Sequence, residues 1–486
     1  MALQQDPEKP RGSSNPGPPD SHLVGFTEPH DQDNPMQWPL RKKWLVTSIL
    51  SATGFNRIVV STIMAPALPI IAAELDMSAT ESAMSLSIYL LATAFGPLVI
   101  GPASDVYGRQ VVLHVSNVWF LGWNLACGFS TTKGFLIASR LFTGLGASAI
   151  YSLGGGVLGD VWLPEQRGKS LGAYLAIPLL AVAVGPILGG FITTRADWRW
   201  MFWATSVFQG VAIIVCLFTF AETYAPVILK RRASRLRRET GDKRYMTLNE
   251  RLDRDLGFLA VFQRAFTLPL RLLAFQPPLQ AASVISGFSY GLLYVVLSSF
   301  ANIFTFQYRE PIEISGLHYI SVALGEIIGS QLGGMAMDRY YLEMVRKHNG
   351  EHQPHFRIPL VYPGAIIAPL GLIIYGWAAQ YKVQWIVVDI GAFVFACGLQ
   401  VSGMAMQAYA LDLYADFTSS ALSAMQFLRS LAAFLFPLFA PGLYGVLGYG
   451  WGNTLIALVG IAVGVLLPGL LERYDARLRE RYPIHE

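Results

Sequence analysis

Charge is scarce in this chain. Only 14% of its 486 residues are Asp, Glu, Lys or Arg, while 53% are hydrophobic; soluble globular proteins carry about 25% charged residues. So little charge excludes a soluble enzyme or nucleic-acid module, and a net charge of +4 is too small to argue for a polyanionic partner. Cysteine is scarce too. Cys127, Cys216 and Cys397 are an odd number, each inside a long apolar stretch, and no pair has metal-ligand or redox spacing. They read as small buried residues, which excludes a disulfide scaffold and leaves no metal site. Also missing are an Asn-x-Ser/Thr sequon, a Walker-type glycine–lysine loop, and a basic leader followed by a short apolar segment. No histidine cluster or nucleophile constellation stands out in the apolar stretches, so an enzyme is not expected.

Long apolar runs dominate what remains. A bilayer span needs about 20 mostly apolar residues, and such runs lie near 44–72, 82–102, 111–130, 134–158, 170–192, 200–221, 280–304, 315–337, 358–378, 383–410, 419–441 and 450–472. Arg41, Lys42 and Lys43 precede the first run, which places the N-terminus in the cytoplasm. With twelve spans, 28 Lys and Arg fall in the cytoplasmic segments, 5 outside and 3 within spans. Both termini are therefore expected to be cytoplasmic. Residues 1–40 hold eight prolines and almost no apolar run, a disordered tail by composition. Residues 41–222 form a first set of six spans and 276–473 a second. The basic stretch 223–275, with twelve Lys and Arg, reads as a tether between them, and 474–486 is a short tail.

The two sets resemble each other. Asp160 and Trp162 match Asp412 and Tyr414 at an offset of 252, and Pro186 and Gly190 match Pro437 and Gly442 at 251 and 252. Duplication with a site between the halves is a transporter architecture.

Three motifs carry a family resemblance. Gly101, Asp105, Gly108 and Arg109 have the spacing G-x-x-x-D-x-x-G-R after the second span. There Asp105 suits the N-terminal amides of a neighbouring helix, and Arg109 a lipid phosphate or a facing carboxylate. Arg140, Gly144 and Gly146 follow as R-x-x-x-G-x-G, and Gly185, Pro186, Gly189 and Gly190 as G-P-x-x-G-G. The chain resembles the major facilitator superfamily and, within it, the twelve-span drug:proton antiporters of fungi. That resemblance implies an all-α membrane protein of two pseudo-symmetric six-helix bundles. It further implies proton-coupled efflux of an amphipathic drug, toxin or secondary metabolite by alternating access. Gly101, Asp105, Gly108 and Arg109 would be the cytoplasmic gate, and the Gly185–Gly190 stretch the antiporter motif. The proton gradient would supply the energy with no cofactor, and a monomer in the plasma membrane would suffice. A proton-coupled nutrient uptake symporter is the alternative.

Charges at membrane depth are the candidates for coupling. Arg57, Arg140 and Arg429 are deep arginines, and Glu326 and Asp389 deep acids. Unpaired, such charges cost too much to keep, so each needs a partner or a wet cavity. Glu326 or Asp389 near an arginine would carry the proton, with Arg140 and Arg57 taking part. An excess of arginine over acid also suits an anionic cargo. Tyr290, Tyr294 and Gln400, among small and polar residues, are the candidate substrate contacts, and His318 reads as a solvated histidine at a span's outer end.

Overall fold

The computed structural model describes residues 22–27, 31–252, 258–351, 353–414 and 418–481. Among these nearly everything is helix, because in hydrocarbon each backbone N–H and C=O must be paired within the chain and a helix does so locally. The first half consists of α1 (Leu40–Thr62), α2 (Leu68–Glu74), α3 (Ala79–Tyr107), α4 (Arg109–Gly128), α5 (Lys133–Ala147), α6 (Ala149–Val161), α7 (Pro164–Arg195) and α8 (Trp200–Thr219). Three shorter helices follow: α9 (Ala225–Thr240), α10 (Leu248–Leu252) and α11 (Phe258–Phe275). The second half is α12 (Pro277–Asn302), α13 (Ile312–Leu317), α14 (Tyr319–Lys347), α15 (Val361–Gln380), α16 (Trp385–Leu413) and α17 (Thr418–Arg481).

Eleven helical stretches among the described residues are long and apolar enough to cross a bilayer. The last, Ser420–Tyr474, runs 55 residues and breaks at Gly448, where φ is 70°. A Cβ there would lie 2.5 Å from Gln380 Oε1, the oxygen that accepts from the backbone N–H groups of Tyr449 and Gly450. Glycine therefore permits both the turn and the cap of the helix beyond it. The stretch counts as two crossings, which gives the expected twelve. Other spans are interrupted as well: the first stops at Thr62, passes Pro66 in a 3-10 turn and resumes at Leu68, and the fourth breaks at Ser148.

Three expectations change. Residues 1–21 and 28–30 lie outside the described residues, but the rest of the tail expected to be disordered is ordered. Leu23 pairs with Met246 in a bridge, and Asp31 forms an ion pair with Arg232 at 2.5 Å. The stretch read as a tether is largely helical: α9 buries Val227 and Ala233, and Arg237 pairs with Glu250 at 2.9 Å. At the other end, α17 carries helix to Arg481, well into the segment read as a tail.

Candidate functional site

The centre is organised by the break in the first span. A helix leaves its last carbonyls without intrahelical donors, and for α1 these include Val60 and Ser61. Arg140, fully buried on α5, supplies the donors: Nη1 to Val60 O at 2.8 Å, Nη2 to Ser61 O at 3.5 Å and Nε to Ser85 O of α3 at 3.3 Å. Its charge sits at the negative end of the α1 dipole and over the ring of Tyr89 at 4.7 Å. On the other side of the break stand the motif glycines of α7. A Cβ on Gly185 would lie 2.3 Å from Thr62 Oγ1, and one on Gly189 1.9 Å from Ile63 O. Gly185 and Gly189 of the G-P-x-x-G-G motif are thus the surface on which the broken helix rests.

Across from Ser61 begins a cluster of tyrosines and charges shared by both halves. Tyr294 of α12 is within hydrogen-bonding reach of Ser61, and Tyr290 packs against Tyr294 with ring centroids 5.3 Å apart. The guanidinium of Arg429 lies over the Tyr290 ring at 4.4 Å and acts on Glu326 of α14. Tyr151 of α6 interacts with both Tyr290 and Arg429. The structure therefore brings Glu326, Arg429, Tyr290 and Tyr294 together, and adds Tyr151. Glu326 is buried, and its Oε2 has no hydrogen-bond partner among the described residues.

Asp389 does not join them. It lies in the second turn of α16, at the far end of the bundle, and its partner is a histidine rather than an arginine. His318 Nδ1 meets Asp389 Oδ2 and Nε2 meets Glu310 Oε2, each at 2.7 Å, with the imidazole stacked on Phe304 at 3.7 Å. At 7% exposure His318 is no solvated histidine: two carboxylates and an aromatic face repay its burial. Arg57 stands apart as well. Its Nη2 donates to Asn117 Oδ1 at 2.6 Å inside the first half.

At the opposite end, the G-x-x-x-D-x-x-G-R loop turns at Gly108, with φ 97°. Asp105 pairs with Arg109 on its own loop at 2.9 Å and caps no helix. Glu222 caps instead, accepting from Arg109 N at 2.9 Å and Gln110 N at 3.4 Å at the start of α4, and from Thr223 and Tyr224 N. Arg109 also reaches Asp160 at 3.5 Å and lies over Tyr224 at 4.7 Å. The second half repeats this arrangement: Arg357 pairs with Asp412 and lies over Tyr341 at 4.3 Å. Arg357 was missed in the sequence, although it follows Arg109 by 248 residues, close to the repeat offset.

Among the described residues, the two halves meet closely where α7 faces α13. Near Gly190 the clearance is minimal: its Cβ would stand 2.9 Å from Ile312 O, and that of Gly316 2.7 Å from Pro186 O. Arg195 and Glu313 pair there at 3.7 Å. Midway, Thr93 Oγ1 donates to Ser430 Oγ at 3.0 Å and Phe95 meets Phe427. Toward the Arg109 end, one face of α6 is open: Tyr151 is 39% exposed and a Cβ on Gly155 would meet nothing. Beside it run α3, through Ser152 and Pro97, and α7, through Gly154 and Tyr174, both of which touch the other half. On α16 the positions Gln400, Gly403 and Gln407 share a face, Gly403 looks onto open space and Gln407 is exposed.

Comparison with known proteins agrees with this architecture. The family model of the Major Facilitator Superfamily matches residues 50–437. The chain is 51% identical over 419 residues to the probable efflux pump mfs2 of Aspergillus flavus, covering 86% of this chain and 99% of that one. It is 39% identical over 461 residues to efflux pump vrtL of Penicillium aethiopicum, covering 95% and 91%. Among solved structures, the xylose transporter XylE of E. coli in a partially occluded inward-open conformation superposes with a TM-score of 0.64 at 15% identity. That match covers 89% of this chain and 98% of the other, a likeness of fold. On its sequence and its twelve-helix architecture, the chain belongs to the major facilitator superfamily of membrane transporters.

Proposed function

We propose that this transporter exports an amphipathic small organic molecule, such as a drug, toxin or secondary metabolite, in exchange for protons, by alternating access between the two halves. The observation that carries the coupling is Glu326, a carboxyl buried in the third turn of α14 with Arg429 beside it and one oxygen without a hydrogen-bond partner among the described residues. A carboxyl at that depth is tolerable neutral, or charged against an arginine, and protonation moves it between those conditions. A cargo that binds on Tyr290, Tyr294 and Gln400 disturbs the same charges, so cargo and proton each favour a different facing state. The names of the relatives support export, and the enrichment of Lys and Arg in alternate loops supports a plasma-membrane orientation with both termini inside. One chain holds both halves, so a monomer is sufficient, with no cofactor beyond the proton gradient.

Reconstitution in liposomes with an imposed pH gradient tests this reading. Addition of a transported compound is expected to drive protons in the opposite direction, and Glu326→Gln to abolish that movement. Proton movement in the same direction as the compound would indicate uptake, and compound flux without protons would refute the coupling.

A further inference from the structure

Of the three deep arginines, two have their charge accounted for. Arg140 is satisfied by carbonyl groups at the end of α1, and Arg429 sits with Glu326 and the Tyr290 ring. Arg57 is not. It is 2% exposed, in the middle of the first span, and its one side-chain hydrogen bond among the described residues goes to a neutral acceptor, Asn117 Oδ1. Nε and Nη1 have no hydrogen-bond partner among the described residues, and neither does Asn117 Nδ2 on the amide that Arg57 grips. The nearest aromatic face, Phe120, is 5.8 Å away. The ionisable groups acting on Arg57 are Tyr89, Tyr174, Cys216 and Tyr151, all neutral at ordinary pH. The two deep acids are engaged elsewhere, Glu326 beside Arg429 and Asp389 on His318.

An arginine in this position is expensive, since one hydrogen bond to a neutral acceptor, with no opposite charge, is a poor return for its removal from water. The unsatisfied groups around it are all donors, so the complement they call for is an acceptor with negative charge. Tyr151, one of the groups that act on Arg57, is itself 39% exposed on the open face of α6. On the α1 helix Arg57 also lies next to the face that carries Gly54, Ile58 and Ser61 toward α6, α7 and α12.

We propose that Arg57, oriented by Asn117, receives the anionic group of the exported molecule, a carboxylate or comparably acidic oxygen, so that the cargo is an amphipathic organic acid. This rests on the reading of the chain as an exporter and names its substrate class. The cargo's charge satisfies the guanidinium, and its apolar body lies against the tyrosines between the halves.

Equilibrium binding to the purified full-length protein in nanodiscs, with no pH gradient, tests the assignment. The probes are two matched pairs, 1-naphthoate with 1-naphthamide and dodecanoate with dodecanamide, with sodium chloride as the inorganic competitor. The wild-type protein is expected to bind the carboxylates about tenfold to a hundredfold tighter than the amides, the scale of a charge-assisted hydrogen bond. Arg57→Gln is expected to remove that preference, and Arg57→Lys to keep part of it. Absence of a carboxylate preference in the wild type, by equal binding or none, overturns the proposal without any variant. So does a preference that survives in Arg57→Gln, or displacement of the carboxylates by chloride at equal concentration, which would make this a seat for an inorganic anion. Because the assay needs no gradient, Glu326→Gln can fail the flux test while this result stands, and the reverse.

Discussion

Two adjacent glycines of the fifth span make different predictions. Gly189 faces its own half: a Cβ there would lie 1.9 Å from Ile63 O. Gly190 faces the other half, where a Cβ would lie 2.9 Å from Ile312 O and 3.2 Å from Glu313 Cα. A carbon approaches a carbonyl oxygen to about 3.3–3.6 Å. Gly190→Ala therefore asks the halves to part by a few tenths of an ångström where they are closed, and costs nothing once they have separated. Overpacking costs about 1–3 kcal/mol; the low end, about 1 kcal/mol, is roughly a fivefold shift of population away from closure at this end. Gly189→Ala needs more than an ångström of movement within one bundle, and both facing states bear it. It is expected to cost about 3 kcal/mol of stability with no shift between states. The assay is distance measurement between spin labels at Thr131 and Gln384, exposed positions on the two halves at this end, in a background with the three cysteines replaced by alanine. Gly190→Ala should populate longer distances and leave Tm nearly unchanged, with Gly316→Ala behaving alike; Gly189→Ala should lower Tm and leave distances alone. An unchanged distance distribution in Gly190→Ala, or an equal opening in Gly189→Ala, would refute the reasoning.

Other perturbations address the remaining contacts. Arg140→Met strands the Val60 and Ser61 carbonyls and is expected to cost about 3 kcal/mol, read as a fall in Tm that Arg140→Lys only partly recovers. Glu222→Gln removes the negative charge at the start of α4; a loss of about 1 kcal/mol should appear as faster hydrogen exchange at the Arg109 and Gln110 amides. For Asp31, burial pushes the carboxyl up, but hydrogen bonds from Thr27 N, Arg232 and Asp33 N outweigh it and hold the group well below the usual carboxylate range. A depressed carboxyl stabilises the clasp above its unfolded value of about 3.9 and loses that contribution only as pH falls through the depressed value. Residues 31–38 should then resist proteolysis from neutral pH down to about pH 4, whereas Asp31→Asn should release them at neutral pH.

Membrane character, twelve crossings and the family were legible in the sequence because each is a property of linear pattern. A run of apolar residues forms a helix in lipid wherever it occurs, so the spans needed no knowledge of their neighbours. The motif spacings are equally local, and the duplicated Asp160 and Asp412 marked a symmetry that the structure renders as paired contacts to Arg109 and Arg357. The sequence also named Glu326, Arg429, Tyr290 and Tyr294, since a charge or hydroxyl at membrane depth is conspicuous by composition alone.

Partnership was not legible, because it depends on which faces meet across sixty to more than a hundred residues. Asp389 and Glu326 look equivalent as acids in apolar runs, yet one is held by His318 and the other stands beside Arg429. Arg57 and Arg140 look equivalent as well. Only the break in α1 gives Arg140 its carbonyl acceptors, and only the tertiary placement of Asn117 gives Arg57 one neutral acceptor and leaves its Nε and Nη1 without a partner among the described residues. The capping role assigned to Asp105 fell to Glu222, more than a hundred residues away. The sequence by itself determined which charges enter the membrane; the tertiary structure decided which of them are satisfied there, because burial makes the price of a charge depend on its nearest neighbours.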